Sequence, residues 1–329
     1  MNRSSTVVVH GATGTQGVAI VRALLAAGHR VRGIVRPSGV RPSGVRPSGV
    51  RPSSGVRPSS GVRPSSGVRP PSTSDSGSRL HPDAEPVPAD LLDPGSLAAA
   101  YAGADAVVVQ LPLVFAADPA LRQAEAVLAG LRKARVGRAV FNPGSGLPPA
   151  PVGVPFVDAR VQVAAGLPGS VGAATVVAPA RTYMENLTAP WSAPMVRAGQ
   201  VAYPLPRDLP VPWVALDDLG TAVAAAIASP APPALRIVAG PQALTGDQVA
   251  AELAAALGHP VRWTTVDPGA YREMLAPHLG EKAAGGIAGA YTPPPPGTPP
   301  PPAPDPSVVT VGATSLREWA ARQDWTAGA

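Results

Sequence analysis

Val7-Val8-Val9-His10-Gly11-Ala12-Thr13-Gly14-Thr15-Gln16-Gly17 joins a buried-strand signal directly to a glycine turn that opens a helix. Thr6 and the three valines are β-branched and apolar without alternation, the pattern of a strand covered on both faces in a parallel sheet. Gly11 permits a tight turn, Gly14 lets backbone approach a diphosphate, and Gly17 lets a helix from Val18 to Ala27 pack on the strand. Free N–H groups and the positive end of that helix then face an anion. The glycine spacing alone is weak, because glycines cluster in many loops without a ligand. Its context is specific: the strand is the first of the chain, the helix closes at Gly28, and a second strand, His29 to Arg36, follows at βαβ spacing. An α/β fold of the Rossmann type is expected, a doubly wound parallel sheet with Gly11, Thr13, Gly14, Thr15, Gln16 and Gly17 on a dinucleotide.

The 329 residues suit one α/β domain with a smaller lobe, or two modest domains. Without cysteine there are no disulfides or thiolate zinc sites, which fits a cytoplasmic setting. The first strand starts too near Met1 for a signal peptide, and no apolar run reaches the roughly 18 residues that span a bilayer, so a soluble protein is expected. A formal charge of +6 points to nucleic acid until the arginines are located. Seven stand at 36, 41, 46, 51, 57, 63 and 69 in one low-complexity tract, and without them the charge falls to −1. Composition therefore demands no basic face on the globular part. The tract reads Arg-Pro-Ser-Gly-Val three times and then Arg-Pro-Ser-Ser-Gly-Val three times, with one valine per unit. That is too little apolar surface to offset ordering entropy, so residues 37–88 are read as a disordered Arg-Pro-Ser-Gly repeat insertion. Repeat expansion in a tolerant loop is the plainer account, and an arginine-rich tether for nucleic acid the less favoured one.

Arg36 ends the second strand, where an NAD-preferring site ordinarily places an acid for the ribose diol. A guanidinium there suits a 2′-phosphate, which favours NADP(H) over NAD(H); the competing reading is that Arg36 merely begins the repeat. Ala84 to Asp93 reads as a third strand and turn, placing Asp90 and Leu91 where an adenine would rest. Asp93 is the better cap for a helix from Pro94 to Ala102. The fourth strand lies in Ala104 to Leu113, its crossover helix in Pro119 to Ala134, the fifth strand and loop in Arg138 to Gly146, and the sixth in Ala173 to Ala180. Gln110, Asn142 and Pro179 then share the carboxyl edge with Gly11, where doubly wound sheets bind ligands.

These segments resemble the NmrA-like atypical short-chain dehydrogenases over nearly the whole chain outside the repeat. Gly11 to Gly17 has their Thr-Gly-x-x-Gly form, and Ala89-Asp-Leu-Leu-Asp93 is similar to their "GDl-D" segment. Arg181-Thr-Tyr-Met-Glu-Asn-Leu187 resembles "fmENl", Val211 to Gly220 resembles "v-D-iG", and Ala239 to Gly246 resembles "aGpe-lT". The resemblance implies a Rossmann core, a C-terminal substrate lobe, and NADP(H) or NAD(H) as ligand. Such proteins include quinone and other small-molecule reductases, and regulators that bind dinucleotide without turnover.

Short-chain dehydrogenases ordinarily protonate the substrate with a Tyr whose pKa is lowered by a Lys four residues on. Here the residues four after Tyr101, Tyr183, Tyr203, Tyr271 and Tyr291 are Asp105, Leu187, Arg207, Leu275 and Pro295. The resemblance places a lysine in the helix after the fifth strand, and Arg160 stands there instead. Arginine can hold a phosphate, ribose or oxyanion but is a poor proton donor. An acceptor that takes hydride readily, such as a quinone or conjugated carbonyl, needs less acid. Tyr183 and Ser145 are the candidate donors, each with a packing or turn role as competitor. Glu185 and Asn186 are read as fixing their loop through backbone hydrogen bonds, and Asp217 and Asp218 as caps of a helix from Leu219 to Ile227. The five histidines show no ligand spacing, so no metal site is expected.

Residues 1–180 are thus expected to form the dinucleotide-binding domain, and 181–329 a smaller α/β substrate lobe with 214–240 returning to the core. The lobe reads as a helix from Thr245 to Gly258, an edge strand from Val261 to Val266, helices Pro268 to Leu279 and Glu281 to Tyr291, and a last helix with a Ser315–Glu318 capping box. Trp191, Met195, Trp213 and Tyr291 either line an apolar pocket or pack between lobes. The expected activity is NADP(H)-dependent reduction of a small apolar electrophile, with a non-catalytic dinucleotide sensor as the rival. Homodimerisation stays open.

Overall fold

The computed structural model describes residues 4–37, 80–293, 297 and 303–325. Its first half alternates strand and helix: β1 (Thr6–Val9), α1 (Thr15–Ala26), β2 (Arg30–Val35), β3 (Glu85–Pro88), α2 (Pro94–Tyr101), β4 (Ala106–Val109), α3 (Ala117–Ala134), β5 (Arg138–Phe141), α4 (Pro155–Gly166) and β6 (Ala173–Pro179). The second half is less regular. It holds α5 (Ala193–Arg197), β7 (Gln200–Tyr203), β8 (Val211–Pro212), α6 (Leu216–Ala228), β9 (Leu235–Ala239) and β10 (Ala243–Leu244). After these come α7 (Gly246–Leu257), β11 (Arg262–Thr265), α8 (Pro268–Leu279), α9 (Glu281–Gly289), β12 (Val309–Val311) and α10 (Leu316–Ala321).

Eight strands form one sheet in the order β12-β9-β6-β5-β4-β1-β2-β3, every neighbouring pair parallel. Alternate side chains serve the two faces. Val7 and Val9 pack with Val108, Val140 and Val177 against α1 and α6, while Val8 packs with Val107, Val109, Ala139 and Phe141 against α2, α3 and α4. Burial on both sides removes any need for polar alternation, which is why these strands read as continuous apolar runs. All the carboxyl ends point to one edge, and the loops leaving β1, β4, β5 and β6 meet there.

Several expectations need correction. The insertion expected to reach residue 88 ends earlier, because Glu85–Pro88 forms β3 and Leu80 packs into the core beneath it. Pro86 and Pro88 are tolerated since β3 is the outermost strand and pairs with β2 alone. The repeat at 38–79 lies outside the described residues. Beyond the one return of 214–240 that was expected, the chain rejoins the large sheet a second time as β12, parallel to β9. Three residues are too few to display a strand period. Asp217 and Asp218 do not cap α6; Ala215 is its N-cap, and both acids lie in the first turn. Asp217 pairs with Arg22 of α1 at 2.6 Å, and Asp218 accepts from the amides of Ala313 and Thr314 and from Thr314 Oγ1.

The second lobe has its own core around Tyr203, Trp213, Trp263 and Tyr271. Tyr203 lies 5.1 Å from Trp213 and 5.5 Å from Tyr271, centroid to centroid, at tilted or edge-on angles that suit ring quadrupoles. Trp213 is fully buried and is a core residue rather than a pocket wall, whereas Trp191, Met195 and Tyr291 are half-buried. Among the described residues no helix is long and apolar enough to cross a membrane.

Candidate active site

The turn after β1 shows why glycine recurs in it. Gly11 adopts φ +58°, and its carbonyl accepts from Gly14 N at 2.8 Å. A Cβ on Gly17 would lie 1.9 Å from that same carbonyl oxygen, so α1 can approach the strand only through a bare Cα. α1 starts at Thr15, earlier than the expected Val18. Its N-cap is Gly14, with no side-chain cap and no acid in the first turn. The amides of Thr15, Gln16 and Gly17 are therefore left for an outside acceptor, in the field of the helix dipole.

An amide network joins three loops beside this turn. Asn142, after β5, is 2% exposed and donates Nδ2 to Gln16 Oε1 at 2.8 Å and to Gln110 Oε1 at 3.2 Å. Its Oδ1 accepts from Gly144 N, and Gln110, after β4, donates to the His10 carbonyl at 2.8 Å. Gln16, Gln110 and Asn142 are thus brought together at the carboxyl edge between β1 and β4, where the strand order reverses. His10 lies beneath them, fully buried, its Nε2 2.7 Å from Tyr101 Oη. Burial pushes its pKa down to about 4, so the imidazole is neutral. This His10–Tyr101 pair had no sequence signal beyond the two residue types.

At the far end Arg36 is exposed just past β2, with no ion pair to any described residue. Asp90 folds its own turn: Oδ1 accepts from Leu92 N, and its amide donates to Ser96 Oγ. Leu91 packs against the core below, and Asp93 caps α2 by accepting from Gly95 N. Pro179 closes β6, buried beside the loop that carries Tyr183.

The proposed proton donors fare differently. Tyr183 is 7% exposed and held by a bridge to Val214, with its ring in the core against α6 and its hydroxyl buried without a partner. Burial, with Glu185 nearby, raises its pKa, so it keeps its proton. Its buried ring and hydroxyl fit the competing packing role rather than that of a donor. Arg160 is 5% exposed, and Nε, Nη1 and Nη2 donate to the carbonyls of Pro143, Phe156 and Leu111 at 2.8, 2.6 and 2.7 Å. It ties the loops after β4 and β5 together rather than presenting a free guanidinium, and burial lowers its pKa to about 10. Ser145 is half-buried in the turn beyond Asn142, with no hydrogen-bond partner among the described residues. Glu185 Oε1 accepts from Leu216 N and Trp319 Nε1, binding the β6 loop to α6 and α10, and burial raises its pKa. Asn186 bonds the side chains of Thr182 and Tyr203 rather than backbone. The sequence reading missed the hydroxyl chain that follows, Thr182 to Tyr203 at 2.8 Å and Tyr203 to Tyr291 at 2.9 Å, because its members are far apart in the chain.

A model of the NmrA-like family matches residues 3–291. The chain belongs to that family. An NAD(P)H azoreductase from Xenophilus azovorans is 31% identical over 185 residues, a match covering 54% of this chain and 60% of that relative's length. Among solved structures, a nucleoside-diphosphate-sugar epimerase from Staphylococcus aureus superposes with a TM-score of 0.62 at 17% identity, covering 96% of this chain and 100% of that one. An Escherichia coli NADPH-dependent quinone oxidoreductase gives a TM-score of 0.60 at 17% identity, covering 96% and 98%, and has also been solved with NADPH bound. At such identities the structural matches establish the fold of this NmrA-like chain and no more.

Proposed function

We propose that this NmrA-like protein is an NADP(H)-dependent reductase that passes hydride to a small apolar electrophile such as a quinone or conjugated carbonyl. The observation that carries the reading is the uncapped, acid-free N-terminus of α1 over the Gly11 turn, beside the Gln16–Asn142–Gln110 amides. A sequence relative named as an NAD(P)H azoreductase supports it, and the fold is one shared with an NADPH-dependent quinone oxidoreductase. The bound coenzyme would supply the hydride. The chain's own part is to hold and orient: the amides of Thr15, Gln16 and Gly17 take the diphosphate, Arg36 takes a 2′-phosphate, and Gln110 and Asn142 fix Gln16 and the loops after β4 and β5 beside the turn. Arg160 keeps the loops in register. Ser145 Oγ or solvent supplies the proton, which an easily reduced acceptor needs only weakly. A cytoplasmic setting is proposed on the cysteine-free composition.

The inward-turned Tyr183 and the occupied Arg160 donors favour one rival, a dinucleotide sensor without turnover. Calorimetry with NADPH and NADH, alongside NADPH oxidation against a quinone panel, separates the two. Binding with turnover is expected, binding on its own selects the sensor, and no heat with either coenzyme refutes both. Arg36→Asp is expected to weaken NADPH binding by about tenfold or more, near 1.4 kcal/mol, while leaving NADH largely unaffected.

A further inference from the structure

The face of the large sheet that packs on α6 is not filled along its whole length. Val177 of β6 and Val238 of β9 are fully buried on that face, and strand residues two positions away share it. Those residues are Thr175 and Arg236, and Thr310 of β12 stands opposite Val238. Where α6 crosses them it carries Ala222, Ala225 and Ala226, whose methyl groups leave a cavity of about 320 Å3 against the strands. Small-molecule sites run from roughly 300 to 1,000 Å3, so the space suits a ligand of a few carbons. Ser229, the C-cap of α6 and in the loop that leads into β9, is also in the wall. The cavity therefore lies toward the amino ends of the strands, away from the glycine turn at the carboxyl end of β1.

The wall is chemically one-sided. It holds three hydroxyls and one guanidinium, and none of its residues is acidic. Arg236 is half-buried and makes no ion pair with any described residue. Thr175 is 1% exposed, and its hydroxyl is buried without a hydrogen-bond partner among the described residues. A buried hydroxyl left unpaired is destabilising unless a ligand completes it. One effect opposes an anion here, since the C-terminus of α6 carries roughly half a negative charge. Arg138 answers it: Nη1 donates to the carbonyls of Ala226, Ile227 and Ser229. With Arg236, two full positive charges outweigh the dipole.

We propose that this cavity is a binding site for a small organic oxyanion, a carboxylate or phosphate ester whose charged end rests on Arg236 and the wall hydroxyls and whose short carbon body lies on the α6 alanines. It shares no residue with the glycine turn and does not depend on the reductase reading.

The test follows the threonine methyl resonances of the full chain, with and without NADP+. Thr175 and Thr310 report the cavity, and Thr13 and Thr15 report the glycine turn. Monobutyl phosphate, butyrate, inorganic phosphate and butylammonium are titrated into wild type, Arg236→Gln and Ala225→Leu. A butyl anion is expected to shift the Thr175 and Thr310 methyls saturably with a Kd of about 1 mM, within reach of so small a ligand. Response to both anions marks a general oxyanion site, and response to one names its class. Arg236→Gln is expected to raise that Kd by about tenfold or more. Ala225→Leu, at an exposed position of α6, is expected to abolish binding by filling the space. Neither butyl anion shifting the cavity methyls, shifts confined to Thr13 and Thr15, an equal response to butylammonium, or a wild-type Kd in Arg236→Gln overturns the proposal. Inorganic phosphate binding as tightly as its butyl ester overturns it as well, because the alanine wall then holds nothing. Should Arg236→Gln not fold, as judged by lost methyl dispersion, Ala225→Leu decides, and unchanged binding there removes the site. A chain that fails to bind NADP+ sinks the reductase reading and leaves the cavity result standing.

Discussion

Replacing Arg160 with methionine keeps a flexible aliphatic stem and removes the charge and donors, and the balance of terms predicts a large loss. The three donated bonds, at 2.8, 2.6 and 2.7 Å, come from a charged group to main-chain carbonyls. Such bonds contribute about 1.5–3 kcal/mol each, so together roughly 5–9 kcal/mol. Against this, burial holds the guanidinium pKa at about 10 instead of 12.5, a penalty on the charged form of roughly 3 kcal/mol. The bonds win by a few kcal/mol. Their removal leaves the Leu111 and Pro143 carbonyls unsatisfied inside the fold, whereas Phe156 O, within α4, keeps its helical partner. Arg160→Met should therefore lower stability in urea by about 3 kcal/mol. It should also raise the acceptor KM more than the NADPH Kd, because the loops it releases are those after β4 and β5 and not the glycine turn. Arg160→Lys should recover part of the stability, since a single ammonium cannot span three carbonyls in different directions. A loss below about 1 kcal/mol in Arg160→Met would refute the reasoning, for the site would then be hydrated rather than clamped.

Gly17→Ala places a methyl 1.9 Å from Gly11 O; a stability loss of about 1–3 kcal/mol and a steep fall in NADP+ affinity by calorimetry are expected, and unchanged affinity would exclude the turn as the diphosphate site. Tyr183→Phe removes a buried hydroxyl that has no partner, so kcat should persist and the melting temperature should hold or rise; a hundredfold drop in kcat, about 2.7 kcal/mol, would reinstate it as the donor. Glu185 carries a carboxyl pKa raised by burial above 4.5. The folded state therefore takes up the proton more readily, and the residue opposes folding once pH rises through its folded pKa. Glu185→Gln should melt higher than wild type at pH 8, with the gap closing as pH falls toward 4.5. A gap that stays constant across this range would contradict the burial argument.

How far the sequence could be read depended on whether each feature was local. The glycine turn was legible because its demands are local: Gly11 needs a positive φ and Gly17 leaves no room for a side chain, both within seven residues. The Asp93 cap and the Ser315–Glu318 box were legible for the same reason, each closing within one helical turn. The inward turn of Tyr183 was not, since it follows from a bridge to Val214 and from packing on α6. β3 was partly hidden by its own prolines, which exclude a central strand and leave an edge strand allowed.

Arg160 marks the limit most clearly. Its position, where the family resemblance expects lysine, could be found from pattern alone, but its three acceptors are main-chain carbonyls, and every residue supplies a carbonyl. A guanidinium that grips backbone therefore looks the same in sequence as one held ready for a phosphate. The same holds for Gly286, where two glycines in a short helix signal that something approaches closely without naming Phe115, 171 positions earlier in the chain. The residues that face a coenzyme's diphosphate could be placed by spacing. Those set by contacts between elements far apart in the chain, as in the pairing of Phe115 with Gly286, could not.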